Sequence, residues 1–129
     1  MQNVLFAIGR VLVVAIFIWS GFGKLMNPAG AASAIAGKGL PQPQVLAYLT
    51  IAAELGLGIL VAVGYQARLA ALALAAFTLV TIFYFHDFWH MTGDAARTNM
   101  IQAMKNLSII GGLLMIAAIG PGHYAIGRR

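Results

Sequence analysis

Four stretches of the chain, approximately 4–25, 45–65, 68–88 and 101–120, each run for close to a membrane thickness with hardly a charge in them. An α-helix rises about 1.5 Å per residue, so about 20 apolar residues cross the hydrocarbon core of a bilayer. Composition agrees. Of the 129 residues 61% are hydrophobic and only 9% are charged, whereas a water-soluble domain carries about 25% charged residues. Too little polar surface is left to cover a globule in water. The expected fold is an all-α membrane protein in one domain, 1–129, built as a four-transmembrane-helix antiparallel bundle with the lipid bilayer as its solvent.

The formal net charge of +5 raises the question of nucleic acid. The eight Lys and Arg are scattered singly, and only Arg128 and Arg129 are adjacent. No basic patch interleaved with aromatics is present, so no nucleic-acid partner is expected, and the excess reads as membrane orientation and lipid contact. Cysteine is absent, which excludes a disulfide, a CxxC redox pair, a cysteine-held iron–sulfur cluster and a thiol nucleophile within this chain. Small residues at 29–34 resemble a signal-peptide cleavage site. No Lys or Arg precedes Arg10, however, and the apolar run from Val4 is long enough to span, so a retained helix is expected.

The connections are short. Residues 64–68 join the second span to the third in a tight turn, which makes those helices antiparallel neighbours. Asn27 followed by Pro28 is an N-cap with proline at the first helical position. A short interfacial helix over 29–36 should follow, stopped by Gly37, Gly39 and the Pro41–Gln42–Pro43 break. The segment 90–100 is the only other polar connection, and Gly120–Pro121–Gly122 ends the last helix. Both termini then share one side, with Arg68, Arg128, Arg129 and Arg10. The other side has Lys24, Lys38, Arg97 and Lys105, plus Asp87 and Asp94. Lys24 and Lys105 lie partly inside their spans, and the balance leans towards cytoplasmic termini.

Polar residues inside the spans carry the most information. Glu54 falls near the middle of the second span, where an ionised side chain costs about 2.5–3.5 kcal/mol or more unless it is paired. It should face the bundle interior. Arg10 lies roughly 7 Å from mid-depth towards the termini and Lys105 about as far on the other side, so both are within reach as partners. Asn106 and Ser108 on the fourth helix and Ser20 on the first add polar groups. Glu54 reads either as a structural ion-pair member that sets helix register or as a proton-accepting or ligand-binding carboxylate. The small residues around it (Ala52, Ala53, Gly56, Gly58), with 20–23 and Gly111–Gly112, suit close helix packing or room for a flat ligand.

Residues 83–90 read FYFHDFWH. A continuing helix would set His86 and His90 on one face. A metal needs three or four ligands. Only Asp87 and Asp94 are near, and His123 lies on the opposite side, so His86 and His90 remain weak metal candidates. The alternatives are an interfacial aromatic belt of Tyr84, Phe88 and Trp89, or a proton-relay or quinone-headgroup role for His86. The candidate cluster therefore comprises Glu54, Arg10, Lys105 and Asn106, with Lys24, His86 and Asp87 towards the membrane surface.

Together these motifs resemble the DoxX family of small prokaryotic membrane proteins over nearly the whole chain. The matching features are Arg10 and the run FIWSGFGKL at 17–25, then Gly39–Leu40–Pro41 and Ala53–Glu54–Leu55–Gly56, with Gly64 before Arg68. The third helix ends in FHDFW at 85–89, and the fourth opens with Lys105–Asn106–Leu107 and closes at Gly120–Pro121–Gly122. The resemblance implies a multi-pass protein of the bacterial or archaeal cytoplasmic (inner) membrane. It further implies a membrane subunit of a quinone-linked oxidoreductase, in which sulfur chemistry would sit on a partner enzyme. No haem or flavin motif is present and no covalently bound cofactor is expected; quinone is the candidate ligand. Two readings compete with this one: a non-catalytic scaffold or anchor for a soluble redox enzyme, and a small-solute or proton-coupled transporter. A partner oxidoreductase and a second copy of this chain are both open as protein partners.

Overall fold

A computed structural model describes residues 1–127. Arg128 and Arg129, which enter the orientation argument, lie outside the described residues. The elements are α1 (Gln2–Met26), α2 (Pro28–Gly37), α3 (Pro43–Val63), α4 (Ala67–Phe85), a 3-10 turn (Phe88–His90) and α5 (Gly93–Ile119). Among the described residues there is no strand. Four segments are long and apolar enough to cross a membrane: α1, α3, α4 with the turn that follows it, and α5.

Local chemistry explains most of the boundaries. The Asn27 side-chain oxygen accepts from the Gly30 amide at 3.2 Å, and Pro28 takes the first position of α2, as an N-cap and an N1 proline should. Pro43 opens α3 in the same way, two residues before the expected start. The α3–α4 turn places Gly64 at φ +79°. A side chain there would also collide with Ala125, because the C-terminal segment folds back over this turn, Ile126 N–H donating to Val63 O and Gly127 N–H to Gly64 O.

Two boundaries differ from expectation by more than the start of α3 does. The helix of the third span stops at Phe85, where His86 leaves helical geometry at φ −126°, so His86 and His90 do not share a helical face. The fourth helix begins at Gly93, well before 101, so most of the expected polar connection is helix. Asp94 lies in its first turn, where a carboxylate complements the helix dipole. Water and headgroups tolerate such a polar helical extension, which a hydropathy window cannot register.

In the antiparallel bundle α1 lies along α3, α3 beside α4, and α4 along most of α5, which touches α1 only slightly; α2 packs on α3. At the end near the termini, Val14, Val61, Leu74 and Leu113 are fully buried, with Phe17, Ile116 and small residues of α4 packed around them. The opposite end is not filled. Outward-facing Leu5, Ile8, Leu12, Leu69 and Leu114 are exposed, an apolar exterior that suits lipid rather than water.

Candidate functional site

The unfilled end holds a cavity of about 730 Å³ between α1, α2, α3, α4 and α5. Its walls are chiefly apolar, including Ile35, Leu49, Phe77, Tyr84 and Phe85, and its polar lining comes from Ser20, Lys24, Glu54, His86, Lys105 and Asn106, with Thr50, Thr78 and Thr81. Lys105 is exposed and yet lines the cavity, so the space reaches the outside of the bundle along α5.

Glu54 sits at the centre of α3 and is 6% exposed. Around it the backbone widens into a π-helical turn, Ala52–Leu57. Such turns are rare and frequently mark functional positions. Next to it, α1 comes close because Gly21 has no side chain: a Cβ there would stand 2.8 Å from Leu55 N and 3.2 Å from Glu54 Cβ. Removing that one methylene is what lets α1 bring Lys24 to the carboxylate.

Lys24, not Arg10 or Lys105, is the partner. Lys24 Nζ stands 2.5 Å from Glu54 Oε1 and donates also to Ser20 Oγ at 2.9 Å. The lysine starts near the end of α1 and reaches inward along its own stem, about one turn deeper than its backbone. Hydrogen bonds from a charged donor to a carboxylate are the strong ones, and here they leave one of the three ammonium donors uncommitted.

Arg10 belongs to the other end of the molecule. It is 4% exposed, and its guanidinium donates to the carbonyls of Pro121, Ala62 and Tyr124. Arg68 does the same at the close of α5, donating to Ala117, Ala118 and Ile119. The last carbonyls of a helix lack intrahelical donors and carry the negative end of its dipole. A guanidinium satisfies both needs without a carboxylate. Lys105 donates to Gln102 Oε1 at 2.5 Å on its own helix.

Asn106, at the centre of α5, is 9% exposed and lines the cavity. His86 lines the mouth, with Nδ1 3.0 Å from Asn99 Oδ1, while Asn99 Nδ2 donates to Ala95 O. That second bond turns the Asn99 oxygen to the ring, so Nδ1 carries the hydrogen and Nε2 is the acceptor. Nothing in the sequence marked Asn99, because its partner depends on where α4 ends. Asp87 stands apart from Glu54. It lies 3.9 Å from Lys38 Nζ and 3.2 Å from His90 Nδ1, which ties the end of α2 to the α4–α5 turn. Lys38 also lies 6.0 Å from the Phe85 ring centroid. Among the described residues no three of His, Cys, Asp and Glu come together as metal ligands.

Comparison with known proteins places these features in a family. The inner membrane protein YphA of Escherichia coli (strain K12) is 40% identical over 128 residues, covering 99% of this chain and 91% of that protein. The inner membrane protein YqjF of the same organism is 36% identical over 128 residues, covering 99% and 93%. A Surfeit locus protein 4 homolog of Drosophila melanogaster is 35% identical over 66 residues, half of this chain and 24% of that protein. No solved structure matches the chain. The DoxX family profile matches residues 5–87, a stretch that carries Arg10, Lys24, Glu54 and His86. The chain belongs to the DoxX family of integral membrane proteins.

Proposed function

We propose that this protein is a membrane subunit of a quinone-linked oxidoreductase in a prokaryotic inner membrane, with both termini cytoplasmic, and that the cavity holds the quinone head. The observation that carries the reading is the depth of the polar groups. Glu54 sits at the centre of its span and Asn106 about one turn nearer the membrane surface, both inside a cavity with apolar walls. A phospholipid keeps its head at the membrane surface, whereas a quinone ring is apolar enough to reside at mid-depth. The volume of about 730 Å³ falls within the roughly 300–1,000 Å³ of small-molecule sites. Two relatives bearing the name inner membrane protein support the location.

When bound, a quinone supplies paired electron and proton exchange with the partner enzyme. The chain's own residues would orient the ring and manage protons. The Glu54 carboxylate can hold a proton at its free oxygen, Lys24 offers its third donor to a ring oxygen, and His86 Nε2 accepts a proton at the cavity mouth. Among the described residues the terminal end is packed around Val14, Val61, Leu74 and Leu113, which lends no support to a conduit across the membrane.

The test is quinone content. Protein purified in mild detergent is expected to carry quinone by solvent extraction, and Glu54→Gln to lower that content and the quinone-dependent turnover of the native complex. Absence of quinone together with unchanged turnover in Glu54→Gln would sink the proposal. One observation favours the scaffold reading instead: the Lys24–Glu54–Ser20 set is satisfied within the chain. That reading expects Glu54→Gln to reduce folded protein and leave the turnover of what remains unaltered.

A further inference from the structure

The wall of the cavity contains one side-chain amide, and the protein itself leaves it unused. Among the described residues no side-chain hydrogen bond is made to the Asn106 amide, although the residue is nine-tenths buried and lines the cavity. The other polar groups of the lining mostly have partners. Lys24 is held by Glu54 and Ser20, Lys105 by Gln102, His86 by Asn99, and Thr78 by the Leu74 carbonyl at 2.7 Å. The Asn106 amide atoms are open to the cavity rather than sealed in the protein, and buried polar groups are almost always hydrogen-bonded to something. Their partner is therefore whatever fills the cavity.

Its position says what that partner is. Asn106 stands on α5 about one turn from mid-span towards the cavity mouth, in the same cavity as Glu54 and in a space whose remaining surface is largely apolar. We infer that Asn106 is the residue that reads the ligand's polar head. Its two N–H donors meet a carbonyl or hydroxyl oxygen on an otherwise apolar, membrane-resident molecule. This rests on the proposed quinone reading and deepens it, because it assigns recognition to the ring oxygen rather than to the tail. A binding site that spends its only free amide on one oxygen discriminates strongly against a ligand lacking that oxygen, since the amide is then left unpaired. Apolar contacts with Phe77 and Tyr84 would hold the ring body without regard to its oxygens.

The experiment compares two ligands on two proteins in lipid nanodiscs: a decyl-substituted benzoquinone and decylbenzene, which keeps the ring and the tail but has no ring oxygen. The wild-type protein is expected to bind the quinone at least about tenfold more tightly than decylbenzene. In Asn106→Leu, which keeps the volume and removes the amide, that preference is expected to collapse while decylbenzene affinity is retained. A quinone preference that survives in Asn106→Leu overturns the inference and leaves the quinone reading standing. Equal affinity of the wild-type protein for the two ligands overturns it without any variant, so a folding defect in Asn106→Leu cannot shield it. Failure of the wild-type protein to bind the quinone at all removes the functional reading and this inference with it.

Discussion

The two ends of this bundle are made from the same four helices and treat polar groups in opposite ways. Near the termini, apolar side chains fill the space, and two guanidinium groups are spent on backbone carbonyls. At the other end the helices part, α2 packs over them, and the polar side chains turn towards a cavity. Charge at the first end closes structure that the helices leave unfinished. At the second, charge is held in reserve, paired closely enough to survive burial and left with donors and acceptors to spare. A charged residue within a span is therefore not in itself a sign of a ligand, as Arg10 and Arg68 show.

The contrast can be broken most sharply at Arg10. Replacing it with Met should orphan the carbonyls of Ala62, Pro121 and Tyr124 and cost about 4 kcal/mol or more, since each buried unsatisfied carbonyl costs roughly 1–3 kcal/mol. Unfolding titrations in detergent would read it as loss of most of the folded protein. A loss as small as that of a surface lysine would mean that the closed end is not held by its guanidinium groups.

A matched pair of truncations on α4 sharpens the same comparison. Leu74→Ala removes a fully buried side chain from the filled end and should cost about 3 kcal/mol. Phe77→Ala removes a larger one from a wall that already faces open space, and should cost about 1 kcal/mol or less while weakening ligand binding. Equal costs at the two sites would show that the cavity is packed in the membrane-embedded protein. The smallest effect is expected at the mouth. Lys38→Ala, which breaks a partly exposed pair at 3.9 Å from Asp87, should change stability by about 0.5 kcal/mol or less, and salt should mimic it.

Much of the fold was legible in the residues. Four apolar runs, Asn27–Pro28, the 64–68 turn and Gly120–Pro121–Gly122 mark elements through propensities that act locally. Glu54 was legible as an inward-facing group for a simple reason: a mid-span carboxylate has nowhere else to go. Its partner was not. Arg10 and Lys105 are nearer to mid-depth along their helices than Lys24, and depth alone favours them. What decided otherwise was Gly21, which draws α1 against α3 at the level of Glu54, and the carbonyls that claim Arg10 first. Backbone acceptors have no letter in a sequence.

The sequence by itself determined the solvent, the number of crossings and the need to bury a carboxylate, because hydrophobicity and the energetic cost of a charge in lipid are properties of single side chains and their spacing. Tertiary structure alone decided which end is solid and which is hollow, that Lys24 meets Glu54, that Asn99 orients His86, and that the Asn106 amide faces a cavity without a partner. Those outcomes depend on how closely helices approach and where they stop. Both are set by contacts between residues far apart in the chain, and no local pattern carries them.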